Sequence, residues 1–325
     1  MQLHAIDSTT LKRLLTYPAC IDVVSAAMQA TSAGKAELPL RHGLPLPNGM
    51  LGMMYGYLGE PECFGIKLVS LFPGNAGTDL SSHMGLMMLY EAERGQPLAI
   101  MDGGLITAIR TAAASAVATR ELAREDAQTL AIIGAGEQAE AHINAIPCVR
   151  DIREIRIWAR RGERANALAE RATRDGAPRA IVCDTVDDAV RRADIVCTVT
   201  SASEPVLHGA QLEIGMHLNL VGASFPDRRE VDDDAVAQGQ FFVDYRPSTE
   251  AQAGEYLHAL EQGVITPTHI RGEIGEVISG ERDGRTAASQ ITMYKSLGVA
   301  SQDLAAALHV YRAAIALDAT QVIEI

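Results

Sequence analysis

The chain has no excess of positive charge: 28 Lys and Arg stand against 41 Asp and Glu, a formal net charge of -13 at pH 7. A field of that sign repels nucleic acid and anionic membrane surfaces, so an anion would be drawn only to a local basic pocket. No apolar run reaches the roughly 18 to 20 residues that a membrane span needs. The opening stretch MQLHAIDSTTLKR also lacks a basic segment followed by an apolar one. The expectation is a soluble, unprocessed cytoplasmic chain that engages small molecules, with neither nucleic acid nor membrane as a partner. Cysteine is scarce and unpatterned. Cys20, Cys63, Cys148, Cys183 and Cys197 are odd in number and show no CxxC or metal-ligand spacing, so they read as buried packing thiols and no metal is expected. Repeats, low-complexity tracts and Gly/Ser-rich linkers are missing as well.

What is present is a globular composition, 47% hydrophobic and 21% charged over 325 residues, enough for about two domains. The first stretch mixes two helices with short strands. One helix is capped at Ser8; the next has Ile21, Val24 and Met28 on its apolar face and stops at Gly34. LGMMYGYL, CFGIKLVSLF and PLAIMD are bounded by Gly, Pro and Asn, as strands of a mostly antiparallel sheet would be. After Asp102 the run LITAIRTAAASAVATRELA predicts a helix that leads into a second domain. From Leu130 strands and helices alternate (TLAIIG, EQAEAHINAI, EIRIWAR, ERANALAERA, AIVCD, VDDAVRRA, DIVCTVT, then HLNLVGA), the order of a parallel α/β sheet. The strand QFFVDY follows. The stretch from Ser248 to Gly284 reads as helical and turn-rich, and QDLAAALHVYRAAIALDA as an amphipathic helix returning to the first domain. The expected division is 1–115 with 302–325 as one domain and 116–301 as the other.

Gly134, Gly136 and Ala139 stand in a G-x-G-x-x-A pattern directly after a strand and opening a helix. The glycines allow a tight turn and close approach to a pyrophosphate, and the helix start offers unpaired N–H groups and a positive dipole end. Glu137 and Gln138 lie within this loop. In such sites an acid about twenty residues on holds a ribose 2′-OH. Here that place reads Trp158, Ala159, Arg160, Arg161, and two guanidinium groups suit a 2′-phosphate, which favours NADP over NAD. The bland alternative is a pair of solvated surface arginines.

Three cations of the first domain also need explaining. Lys67 lies inside the apolar strand FGIKLVSLF, where an ammonium needs a partner unless it snorkels from a sheet edge. Arg110 is read as lying close to a helix start, where its charge and the dipole could hold an anion together, or else pair with a carboxylate. Arg41, in LPLRHGLP, is a third candidate or a loop charge. Sequence pattern does not say whether they converge.

Taken together, KLVSLFPGN, SSHMGLMMLYEAERGQPLAIMDG, LITAIRTAAASA, IIGAGEQAEAH, VGASFPDRREVD, GEIGEVISGERDGR and ITMYKSLGVASQDLA resemble the ornithine cyclodeaminase/mu-crystallin family along nearly the whole chain. The resemblance implies a homodimer in which a substrate and dimerisation domain of α+β type, built from both chain ends, accompanies a Rossmann-type doubly wound parallel sheet. It implies that Arg41, Lys67 and Arg110 surround the carboxylate and imine of a small amino-acid-like substrate, with Leu297 approaching it. It further implies that Ser82, Thr111, Thr200, Val221 and Ser296 contact the cofactor or line the nicotinamide cleft; Ser224 and Arg228 join that set.

One departure bears on the reaction. Where the cyclodeaminase branch has Gly-Gly-Asp or Gly-Ala-Asp, this chain has Ser224 in VGASFPDRRE, as in the ketimine-reductase branch. A hydroxyl is a poor base near neutral pH without activation, and Asp227 reads equally as a helix cap for REVDDDAVA. The expected reaction is NADPH-dependent reduction of 1-pyrroline-2-carboxylate or 1-piperideine-2-carboxylate to proline or pipecolate, with NADH as a further donor. Arg110 and Arg41 would clamp the carboxylate, Lys67 would relay a proton, and His83 is a second relay candidate or a structural histidine. The alternatives are cyclodeamination, amino-acid dehydrogenation or reductive amination on the same fold, and a dinucleotide-dependent binding protein without turnover.

Overall fold

The computed structural model describes residues 2–75, 78–173 and 178–324. The chain divides into two compact units, Met1–Arg110 with Gly298–Ile325, and Thr111–Leu297. The first division falls inside the helix Gly103–Leu122.

The first unit is built on an eight-stranded sheet. Its order is Gln321–Glu324, Gln2–Ile6, Pro97–Asp102, His83–Tyr90, Glu62–Leu71, Gly49–Gly59 and Ala36–Glu37, with His42–Leu46 also pairing with Gly49–Gly59. All pairings are antiparallel except Gln2–Ile6 with Pro97–Asp102. The two faces differ because side chains alternate along a strand. In Glu62–Leu71 the buried positions are Cys63, Gly65, Lys67 and Val69, and each neighbour is only half-buried or exposed. Gly65 and Gly56 mark the covered face. A Cβ on Gly65 would stand 3.0 Å from Leu304 and one on Gly56 3.4 Å from Ala300, both on the helix Ala300–Ala316. The other face shows Leu44, Tyr55, Met84 and Leu86 to solvent.

One local expectation is corrected here and another holds. The first helix, Ser8–Leu14, is capped by Asp7, whose carboxylate accepts the Thr10 amide, so the cap is one residue earlier than Ser8. Helix Tyr17–Ser32 buries Ile21, Val24 and Met28 as expected, and Gly34 follows it at φ +72°, a left-handed conformation that favours glycine.

The second unit holds eight parallel strands. Their order is Arg179–Val182, Glu154–Trp158, Thr129–Ile133, Ile195–Thr198, His217–Leu220, Thr292–Lys295, Gln240–Val243 and Ile270–Glu273. The central strands are buried almost without alternation, as strands covered on both faces are, and His217–Leu220 buries even its His217 and Asn219. Chain order reverses at Thr129–Ile133: the next strand lies on one side of it, and Ile195–Thr198 lies on the other. Two strands of this unit were not anticipated. Ile270–Glu273 lies within the stretch read as helices and turns, and Thr292–Lys295 comes from ITMYKS. Neither IRGE nor TMYK is an apolar run, so no local pattern signals a strand at either place.

Among the described residues no helix is long and apolar enough to cross a membrane, and no group of three or more His, Cys, Asp or Glu could hold a metal ion. Cys20, Cys63 and Cys197 are buried, but Cys148 is exposed and Cys183 half-buried, so the reading of all five as buried thiols fails for two. Both lie at or just beyond an element's end, where apolar neighbours in sequence do not ensure burial.

Candidate functional site

In the first unit the side chain of Lys67 points from a central strand onto the covered face, which rules out snorkelling from an edge. Its partner is Asp303, in the first turn of helix Ala300–Ala316. Lys67 Nζ donates to Asp303 Oδ1 at 2.8 Å, and Arg110 Nε donates to the same oxygen at 2.8 Å. All three side chains are buried. Arg110 Nη1 donates to Gln302 Oε1 at 2.9 Å. Arg41 Nη2 donates to the Gly298 carbonyl at 3.2 Å, and the Arg110 guanidinium lies over that same glycine. Gly298 has φ +75°, and a Cβ there would come within 2.3 Å of Arg110 Nη1.

The three cations therefore do converge, around one carboxylate that the sequence reading had not singled out. Its signal was available: an aspartate inside the apolar run of a buried helix, in ASQDLAAAL. Arg110, however, is not at a helix start. The helix begins at Gly103, about two turns earlier. Asp102 Oδ1 accepts the Leu105 amide there, and dipole effects fade beyond the first turn. Arg110 is held by ion pairing instead.

Charge decides what the cluster can do. Lys67 and Arg110 share one oxygen of Asp303, so the pair exceeds that carboxylate by one positive charge when Lys67 is protonated. Burial drives the Lys67 pKa down to about 7; Asp303 opposes the shift, while Arg110 and Arg41 add to it. Burial would raise the Asp303 pKa, but Arg110 and Lys67 more than offset it and hold it below the usual carboxylate range. Asp303 Oδ2 and Gln302 Nε2 are buried without a hydrogen-bond partner. Such an arrangement suits a small anion, because a carboxylate would balance the surplus charge. His83 begins the strand beside Lys67; desolvation by its neighbours, then the Lys67 charge, lowers its pKa. Ser82 lies just before it and receives the Phe72 amide on its carbonyl.

In the second unit the strand Thr129–Ile133 ends at Gly134, whose φ is +130°. A Cβ on Gly134 would sit 2.7 Å from the Val199 carbonyl, so only glycine fits. The Gly134 amide donates to Trp158, which places Ala159, Arg160 and Arg161 beside the loop. Gly136 caps helix Glu137–Ala145 with no side chain to satisfy its N–H groups, and a Cβ there would meet open space. Ala139 is fully buried, and Gln138 Oε1 is buried without a partner. His142 ties the helix down, hydrogen bonded through Nε2 to Ser115 Oγ and through Nδ1 to the Gln138 carbonyl. An uncapped helix start beside an obligate glycine fits a dinucleotide pyrophosphate.

Arg160 and Arg161 are exposed, and neither forms an ion pair with a described residue. Thr111 and Val221 are buried. Thr200 gives its hydroxyl to Glu230. Ser296 and Leu297 are buried too; Ser296 Oγ has no partner, and the Leu297 amide donates to Asp244. Ser224 is half-buried, and the exposed Arg228 lies over the Phe225 ring at 5.5 Å. Asp227 caps nothing: it is exposed in a turn, and helix Asp233–Gln238 takes its cap from Asp232. The acid run REVDDDAVA left several aspartates eligible, and only backbone geometry chose among them.

These features define a two-unit α/β protein, with a dinucleotide-type glycine loop in one unit and a buried cationic cluster in the other. The chain belongs to the ornithine cyclodeaminase/mu-crystallin family, whose model matches residues 4–317. It is 38% identical over 280 residues to ketimine reductase mu-crystallin of Mus musculus, covering 86% of this chain and 85% of that one. To a Delta(1)-pyrroline-2-carboxylate reductase of Bacillus cereus it is 33% identical over 313 residues, 95% and 96% of the two chains. Among solved structures it is similar to Thermococcus litoralis Delta(1)-pyrroline-2-carboxylate reductase in complex with NADH and L-proline. That match has TM-score 0.96 and 32% identity, covering 99% of this chain and 100% of that one.

Proposed function

We propose that the protein is an oxidoreductase that uses a nicotinamide dinucleotide to reduce a cyclic ketimine carboxylate, 1-pyrroline-2-carboxylate or 1-piperideine-2-carboxylate, to L-proline or L-pipecolate. The observation that carries this is the surplus of positive charge around Asp303, which calls for a small carboxylate. Relatives named as reductases of such imines support the ring class, and a neighbour in complex with NADH and L-proline supports the cofactor and product type.

The residues divide the work. Asp303 and Gln302 occupy Nε and Nη1 of Arg110, leaving Nη2 for the substrate carboxylate, with Arg41 as the second clamp. Fixing the carboxylate orients the C=N bond and removes much of the entropic cost of a productive encounter. Lys67 keeps donors beyond the one held by Asp303 and, with its pKa near 7, can hydrogen bond the imine and supply a proton at physiological pH. When bound, the nicotinamide supplies the hydride that the imine carbon accepts. Gly134, Gly136 and the amides of Glu137 and Gln138 would hold its pyrophosphate.

Ser224 in place of an aspartate, with Asp227 turned to solvent, favours reduction over cyclodeamination. NADPH is the preferred donor in this reading, supported by the exposed guanidinium pair Arg160 and Arg161 next to the glycine loop. The protein works as a homodimer, supported by the apolar sheet face bearing Leu44, Tyr55, Met84 and Leu86. The decisive experiment follows oxidation of NADPH and of NADH with five- and six-membered cyclic ketimines. Turnover of either imine is expected; ammonia release from ornithine without net cofactor consumption, and no imine reduction, would overturn the assignment.

A further inference from the structure

Strands Ile195–Thr198 and His217–Leu220 lie side by side, and each ends in a loop, one carrying Thr200 and the other Gly222. Both loops close on a side chain from a third segment, Glu230. Its Oε1 accepts the amide and the hydroxyl of Thr200, each at 2.7 Å. Its Oε2 accepts the Gly222 amide at 2.6 Å and the Thr198 hydroxyl at 2.8 Å. Glu230 is fully buried. A carboxylate withdrawn from water is costly unless its oxygens are satisfied, and four donors do so here.

The fit leaves no slack. A Cβ on Gly222 would stand 2.1 Å from the Thr200 carbonyl and 2.4 Å from Glu230 Oε1. Glu230 is itself anchored: its amide donates to Glu255 Oε1, and its carbonyl accepts the amides of Val206 and Leu207. Glu255 in turn forms a fully buried ion pair with Lys295 at 2.8 Å.

Parallel sheets bind ligands at the carboxyl ends of strands where chain order reverses, and these loops follow the two strands on one side of that point. The first of them also reaches the glycine loop, since the Val199 carbonyl, between Thr198 and Thr200, is the group that forbids a side chain at Gly134. We propose that Glu230 is a positioning residue for the nucleotide, a single buried carboxylate that fixes the Thr198–Thr200 segment and the Gly222 turn against the dinucleotide loop. This rests on the reading that the unit binds a nicotinamide dinucleotide.

The chemistry requires a carboxylate. Glu230→Gln keeps the size but replaces one acceptor by an NH2 donor. The backbone amides of Thr200 and Gly222 approach opposite oxygens, so that donor must face one of them and free its loop. The test is the Kd for NADPH, by nucleotide fluorescence on the whole chain well below its melting temperature. Glu230→Gln should raise that Kd about tenfold or more, and the nucleotide KM should rise more than the imine KM. A folded Glu230→Gln protein with unchanged Kd would overturn the proposal. If that variant does not fold, Thr198→Val removes one donor without opposing two. A Kd raised about threefold or more, restored by Thr198→Ser, supports the role, and an unchanged Kd rejects it. Failure of the unmodified protein to bind either NADPH or NADH would instead reject the underlying reading.

Discussion

Lys67 and Asp303, 236 residues apart in sequence, meet at 2.8 Å with both side chains buried, and Arg110 shares the oxygen that joins them. Removing the shared anion leaves two buried cations facing each other. Asp303→Ala should therefore destabilise the protein by about 3–5 kcal/mol. Asp303→Asn, which keeps an acceptor but not the charge, should fold better yet lose most imine reduction. Denaturant unfolding and steady-state kinetics check both, and wild-type stability in Asp303→Ala would show that the ion triad contributes little.

Burial lowers the Lys67 pKa from 10.5 to about 7, so its proton is present below that pH and lost above it. If this proton serves the reaction, kcat/KM for imine reduction should fall as pH rises through about 7. Lys67→Arg, charged throughout, should lose that limb even if its rate is low. The same shift affects stability. Between pH 7 and 10.5 the unfolded chain keeps a proton that the folded one has released, so wild-type stability should gain with pH relative to Lys67→Met. Matching pH profiles in wild type and Lys67→Arg would remove the lysine from proton transfer.

Gly298 supports the Arg110 guanidinium and has a left-handed backbone. Gly298→Ala should cost about 1–2 kcal/mol in stability and displace the clamp, raising the imine KM while leaving the Kd for nucleotide unchanged. Kinetics with the nucleotide saturating, alongside nucleotide binding, separate the two effects.

Arg160 and Arg161 are exposed and unpaired with any described carboxylate. Replacing both with Ser should raise the NADPH KM roughly tenfold to a hundredfold, at the strength of charge-assisted hydrogen bonds, and barely change that for NADH. Equal losses with both nucleotides would mean that the pair does not read a 2′-phosphate.

The uncovered sheet face predicts self-association. Leu86→Glu, or Leu44→Glu with Tyr55→Ser, should yield monomers by sedimentation or light scattering without loss of secondary structure. A wild-type protein that sediments as a monomer would refute the dimer directly.

The sequence by itself determined the α/β alternation and the glycine loop, because both are written in local patterns: apolar runs of strand length, helical spacing between them, and glycines at fixed intervals after a strand. It also marked Lys67 as needing a partner, since an ammonium in an apolar strand is physically conspicuous. Only the tertiary structure named that partner, brought Arg41 and Arg110 onto Gly298, and showed Glu230 gathering two loops. Those contacts join residues far apart in the chain, and no local period encodes which buried acid meets which cation. The short strands Ile270–Glu273 and Thr292–Lys295 stayed hidden for a related reason: IRGE and TMYK are not apolar runs, and sheet pairing rather than propensity makes them strands.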